Sequence, residues 1–381
     1  MFQPDSFTRK PDSGASWSDA MAVHSLESVS SLKRELGSAC TVLRIDGDDL
    51  LGGSQEGTLA CWSVDSGNER WRVEVDGPIS DVVLEDNRVY VAASSDLHVL
   101  DANSGEAIWS RPLEGASDYV QVSEGGIWAA SSVYEIEISD YVESTVWMFD
   151  SEGSLQQRWS FPERAWHFGL HDDGGVLLGL GRPRCGFLRI RSGEKSVHHT
   201  LEGSSPVTVG VCGSDGRFLI GHSDGSVSIL SGSDASAGEE RASQVRAICN
   251  SKHDWFSGHA SGEVFSSHGW GVSALGAVES LAPGPTDSEG IGIWTSRWND
   301  GDSSIVVLDA TDGSTILELE HAHRIRHIDS AGSNIALGDS GGRIHLVEGR
   351  VLSRRLEDDD GGGDDERRSR LMERLRKLRE A

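Results

Sequence analysis

Short runs in which apolar and polar residues alternate with a period of two recur along the chain, separated by turns rich in glycine and aspartate. Gly57-Thr58-Leu59-Ala60-Cys61-Trp62 leads through Asp65-Ser66-Gly67 to Trp71, and Leu97-His98-Val99-Leu100-Asp101 leads through Asn103-Ser104-Gly105 to Trp109. Val146-Trp147-Met148-Phe149-Asp150 leads through Gly153 to Trp159, and Ile305-Val306-Val307-Leu308-Asp309 leads through Asp312-Gly313 to Leu317. Period-two alternation on both sides of a glycine turn predicts antiparallel strands joined by hairpins, the glycine supplying positive φ. The terminal Trp or Leu of each run is expected to pack between neighbouring units.

The unit recurs about every 40 residues, the length of a four-stranded propeller blade. The predicted fold is all-β, a β-propeller of about eight four-stranded blades followed by a C-terminal α-helical tail. The units fall approximately at 40–77, 78–115, 116–163, 164–203, 204–242, 243–280, 281–322 and 323–357; seven blades plus an atypical unit is the alternative. The segment around Ser31-Leu32-Lys33-Arg34-Glu35-Leu36 is placed to supply an outer strand to the last blade, closing the ring between the chain ends and covering open strand edges. The third unit is longer than its neighbours through Tyr134-Glu135-Ile136-Glu137-Ile138-Ser139-Asp140-Tyr141-Val142-Glu143, either a projecting recognition hairpin or a lengthened strand pair.

The spacing Asp101, Gly105, Trp109 resembles the tryptophan-docking repeat of pyrroloquinoline-quinone-like (PQQ-like) propellers. Gly221-His222-Ser223-Asp224-Gly225-Ser226-Val227-Ser228-Ile229 and Gly338-Asp339-Ser340-Gly341-Gly342-Arg343-Ile344-His345-Leu346 resemble the turn-and-strand core of WD-repeat blades. The resemblance spans residues 40–357 in degenerate form and implies a fold rather than a function. The quinone cofactor of some PQQ-like enzymes goes with an adjacent cysteine pair, which this sequence lacks, so no cofactor is expected.

Composition agrees with short strands and tight turns, with 46 Gly and 12 Trp. Formal net charge is -27, and the five lysines stand at Lys10, Lys33, Lys195, Lys252 and Lys377, the remaining basic residues being Arg. An acid-rich, lysine-poor surface suits solubility in concentrated salt, which points to a halophile and disfavours nucleic-acid binding through the body of the protein. Cys40, Cys61, Cys185, Cys212 and Cys249 are scattered without metal or redox spacing and read as small apolar strand residues. No segment has the continuous apolar run of a signal peptide or membrane span, so the expected location is the cytoplasm.

Four regions are expected: a flexible tail over 1–22, the propeller over 23–357, an acidic Gly-rich linker over 358–365 and a basic amphipathic helix over 366–381. In that helix Leu371, Leu375 and Leu378 share one face, while Arg367, Arg370 and Arg374 are among the cations flanking it. These six residues are the expected partner-binding set. A stripe this short gains most by docking, so a protein partner is the leading expectation; folding back on the acidic propeller or remaining solvated are the alternatives.

Candidate chemistry is sparse. His321, His323 and His327 place two imidazoles on one strand face without a completing carboxylate or cysteine, and read chiefly as polar strand and loop residues. His198 and His199 point to opposite faces of a strand; His167 and His171 share a face but lack a third ligand. Asp172-Asp173 fits a hydrated turn, Gly179-Leu180-Gly181 does not open a helix, and no serine sits in a strand-turn-helix elbow. No catalytic, cofactor-binding or metal residues are therefore assigned. The expected function is a non-enzymatic scaffold whose rim binds one protein and whose C-terminal helix tethers another. The alternatives are a hydrolase or lyase with a small-molecule site at the central channel, and an accessory subunit of a nucleic-acid-processing assembly.

Overall fold

A computed structural model describes residues 24–360 except 202–204, 214–215, 232–233, 252–253 and 287–289. The expected tail over 1–22 and the helix over 366–381, with Leu371, Leu375, Leu378, Arg367, Arg370 and Arg374, lie outside the described residues. Eight antiparallel sheets follow one another along the chain. They occupy residues 40–74, 79–112, 116–161, 165–199, 207–236, 245–273, 277–321 and 325–348, here blades 1 to 8.

Closure occurs as the sequence anticipates. Leu32–Glu35 pairs antiparallel with Arg343–Glu348 and completes blade 8 as its outer strand, in the register Leu32↔Leu346 to Glu35↔Arg343. Just before it, His24–Ser25 adds a short parallel fifth strand to blade 7, and α1 (Leu26–Val29) turns the chain from one blade to the next. After blade 8 the chain enters α2 (Gly349–Asp360) where other blades continue into their outer strand, so a helix begins inside the region expected to be propeller and linker.

Two boundaries differ from expectation. The inner strand of blade 7 is Ala277–Pro285, so the break placed at 280/281 falls inside it. Pro283 and Pro285 disguise this strand. Both lie on the inner edge, which has no further strand beside it, and a proline there costs no ladder hydrogen bond on its open side. The last sheet strand stops at Glu348 rather than near 357.

The core is divided among the seams, each of the eight containing its own apolar cluster. The terminal aromatics lock several seams from the outside. Trp71 donates its Nε1–H to Ala102 O at 2.7 Å, Trp109 to Ser151 O at 3.2 Å, Trp159 to Glu194 O at 3.1 Å and Trp270 to Ala310 O at 3.1 Å. Each acceptor lies in the glycine turn of the following blade. A Cβ on Gly105 would lie 2.8 Å from the Trp71 ring, and φ there is +72°, so both the bend and the ring's approach require glycine. At the closing seam Leu32 packs on the equivalent Gly67 and Arg34 Nε donates to Gly67 O at 3.1 Å, taking the place of a tryptophan.

Candidate functional site

In blade 3 the second and third strands, Gly126–Glu135 and Asp140–Phe149, are ten residues each, against six for Arg88–Ala93 and Asp96–Asp101 in blade 2. Pairing continues to Glu135↔Asp140, with a register shift after Val133, so the extra length is an ordered hairpin. Its tip is apolar on the outside. Ile136 is 81% and Ile138 63% exposed, with Tyr134 and Val142 also exposed. Glu135, Glu137, Asp140 and Glu143 surround them with exposed carboxylates.

A cation and aromatic rings brace the base of this hairpin. Tyr134 and Tyr141 meet edge to face with centroids 5.1 Å apart. The Arg164 guanidinium lies 4.1 Å from the Tyr141 ring centroid and 4.5 Å from that of Trp166, and it also donates to the Tyr141 hydroxyl. Its other nitrogen is 2.9 Å from Asp118 Oδ1, while Asp118 Oδ2 accepts the Ser132 hydroxyl at 2.6 Å. Burial pushes the Asp118 carboxyl up, and Arg164 and Ser132 pull it back. Trp166 remains partly exposed beside the hairpin. Arg164 and Trp166 were missed in the sequence because they sit beyond the next outer strand, and no local pattern links them to Tyr141.

The inner strands explain how Asp118 and Trp166 reach this face. Every one of the eight carries a register shift near its start, which sets Thr41, Ser80, Asp118, Trp166, Thr208, Arg246, Glu279 and Arg326 out of step with the ladder. Such a bulge twists the strand locally and re-aims a side chain. Lower in the ring, a cavity of about 640 Å³ is lined by Arg44, Arg246, Arg326, Glu279 and Asp329 among others. Its charges are largely engaged across seams: Arg246 and Arg324 both reach Glu279, at 3.3 and 2.7 Å, and Arg44 reaches Asp81 at 3.4 Å. Asp329 and Asp81 accept the backbone N–H of Ile45 and Val120 from the following blades at 2.7 and 3.1 Å.

The histidines sort differently from their sequence spacing. His167 is buried against Gly210 and Phe218, and burial drives it down to about 4; His171 stacks on the same Phe218 and pairs with Asp173. His198 reaches Cys185 O, whereas His199 stacks on Phe187. In the third group, His327 stands apart in its inner strand, where burial drives it down to about 4. His321 instead converges with Glu27 and His345, which come from α1 and from blade 8. No spacing rule connects residues so distant in sequence.

None of the five cysteines forms a disulfide, and four are buried as expected. Cys212 is exposed, and Cys185 lies in a turn with φ +56° rather than in a strand. No helix among the described residues is long and apolar enough to cross a membrane.

Comparison with known proteins agrees with this architecture. The Saccharomyces cerevisiae Sqt1 crystal structure superposes with a TM-score of 0.66 at 10% identity, covering 84% of this chain and 98% of that one. BamB from Moraxella catarrhalis gives 0.61 at 13% identity over 82% and 97%, and the C-terminal WD40 domain of Sif2 gives 0.62 at 11% over 83% and 98%. At these identities the likeness is one of fold. No curated protein sequence matches. The profile of the PQQ-like family described as outer membrane protein assembly factor BamB matches residues 11–206, just over half of the chain. With eight blades, glycine turns and docked tryptophans in place, the chain belongs to this BamB-type family of PQQ-like β-propellers.

Proposed function

We propose that this propeller is a non-enzymatic scaffold that captures a protein partner on the face carrying the blade 3 hairpin. The supporting observation is the exposed apolar tip formed by Tyr134, Ile136, Ile138 and Val142, continuous with Trp166 and the ring-sandwiched Arg164. Aromatic residues and arginine anchored in a rigid frame form energetic centres of protein interfaces, and the acidic rim favours a partner that is apolar at its centre and basic around it. The matched family is described as an assembly factor, which supports a role in holding other proteins together. A second component would be tethered through the Leu371, Leu375 and Leu378 stripe.

Five cysteines without a disulfide and the acid-rich composition support a reducing cytoplasm in a salt-adapted cell. Cell fractionation tests that location: recovery in the envelope rather than the soluble fraction overturns it. For the scaffold itself, crosslinking and affinity capture at the cell's own salt compare wild type with Ile136→Asp/Ile138→Asp. The variant is expected to fold normally and lose the captured partner; equal recovery removes the hairpin from the interface.

A second reading draws on the arginine-lined cavity. Arg44, Arg246 and Arg326 together would suit an anionic small molecule, and a hydrolase or lyase would place its chemistry there. Loss of binding or turnover of an anionic probe in Arg326→Ala, with the hairpin variant unaffected, would favour that reading over the scaffold.

A further inference from the structure

Where blades 7 and 8 meet the N-terminal segment, three metal-ligating side chains face one another with donor atoms all within 4.8 Å: Glu27 on α1, His321 at the end of blade 7 and His345 in blade 8. His321, His345 and the neighbouring Asp339 have fully buried side chains, while that of Glu27 is 35% exposed.

The hydrogen bonds around them assign one proton to each ring. Asp339 Oδ1 accepts the backbone N–H groups of Gly341 and Arg343 at 2.8 and 2.9 Å, two donors that favour the carboxylate form. Asp339 is therefore an ionised acceptor, and His321 Nε2, 2.8 Å from its Oδ2, is the donor. The Ser30 hydroxyl gives its proton to Leu26 O at 2.5 Å, so toward His345 Nδ1, 3.2 Å away, it accepts. His345 thus carries its proton on Nδ1 and a lone pair on Nε2.

Of the two remaining nitrogens, His345 Nε2 is buried and makes no hydrogen bond, and the buried His321 Nδ1 faces the Glu27 carboxylate. Glu27 Oε1 stands 3.0 Å from His321 Nδ1. With one proton on each ring, acceptors converge here without a donor among them, an arrangement that calls for a positive charge in their midst, either a metal ion or a second proton on His321. Asp339 and Ser30 already orient the two rings through their far nitrogens, as the outer partners of metal-bound histidines do.

We infer that Glu27, His321 and His345 bind one divalent transition-metal ion of the Zn²⁺ class, which clasps α1 to blades 7 and 8. Two imidazoles and a carboxylate form a donor set suited to Zn²⁺, with the fourth tetrahedral position left to water on the exposed side of Glu27. The ion would hold α1 to two consecutive blades some three hundred residues further along the chain, so its effect appears as stability of the closed ring.

The competing explanation is a proton: an imidazolium at His321 between Asp339 and Glu27. Full-length protein, stripped with a chelator and dialysed, separates the two by calorimetric titration with Zn²⁺, by the ligand-field spectrum with Co²⁺, and by melting with and without Zn²⁺. Expected are one equivalent bound, a four-coordinate Co²⁺ spectrum and a higher Tm with metal. Glu27→Gln changes a partly exposed side chain and leaves the rings in place; it should weaken Zn²⁺ binding by at least about tenfold. His345→Gln should abolish binding, with circular dichroism reporting whether the ring still folds. Wild type that binds no Zn²⁺, or Glu27→Gln that binds it as tightly as wild type, overturns the inference.

Discussion

The seam between blades 7 and 8 and the seam between blades 5 and 6 belong to the same ring but are built differently. The first encloses Trp294, Ile305, Val307, Leu319, Ile335, Leu337 and Val347, and adds Leu26 and Val29 from α1 and Leu352 from α2. Among the described residues the second has four buried apolar side chains, Leu219, Val227, Val245 and Ile248, with Val209, Val211, Ile229 and Trp255 partly buried against them. Nearby histidines strengthen the individual blades instead. His222 bridges Ser205 O and the Ser228 hydroxyl, and His259 bridges Ser243 O and the Ser257 hydroxyl. The deeper core therefore lies where the chain ends are brought together. Bringing residues 24–36 back after some three hundred intervening residues costs about 5 kcal/mol in loop entropy by the logarithmic rule, and that seam must offset it. The seam between blades 5 and 6 draws on no segment from the other end of the chain and has no such cost.

The largest test is to remove residues 1–36, which takes away the fifth strand of blade 7, α1 and the outer strand of blade 8. Loss of buried Leu26, Val29 and Leu36 alone should exceed about 5 kcal/mol, and calorimetry should show no cooperative transition of the wild-type kind. Within the intact chain, Trp294→Ala should cost about 3–5 kcal/mol, because the fully buried indole also loses its bond to Pro285 O. Denaturant melts would measure it. Val245→Ala at the thin seam should cost about 2 kcal/mol globally. Its clearer signature is local, with amide exchange rising in blades 5 and 6 before the rest of the ring; uniform exchange would erase the distinction between the seams.

Acid provides a graded test. Burial lowers His222 and His259, and drives His167, His327 and His345 down to about 4. A ring whose folded pKa lies below its unfolded value of about 6.5 contributes full stability above that value and loses it as pH falls through the folded pKa. Stability should thus decline from about pH 6.5 toward 4. Asp81, Asp118 and Asp329, raised by burial, oppose this by favouring the folded state as they take up protons. His222→Gln should flatten the acid loss of exchange protection in blade 5 while leaving the blade 7–8 seam unchanged. The smallest effect is expected at the hairpin tip, where Ile136→Asp should alter stability by no more than about 0.5 kcal/mol.

Much of the ring was legible because its signals are local. Alternation around Gly67, Gly105, Gly153 and Gly313 marks hairpins, and the Trp or Leu four to six residues after each of these glycines marks the docking seams. The closing strand at Leu32–Glu35 could be anticipated because an uncovered last blade needs a partner. Pro283 and Pro285 hid one inner strand, since proline argues against a strand unless its open edge is known. The hairpin of blade 3 was visible as extra length, but Arg164 and Trp166 joined it only through the inner-strand bulges.

The sequence by itself determined the repeat, its hairpin turns and the docking residues, because each depends on neighbours within one blade length. Only the tertiary structure decided that His321, beside its sequence neighbour His323, meets Glu27 and His345 rather than His327, and which seam is thick or thin. These depend on contacts across the closed ring, where chain distance carries no information about distance in space.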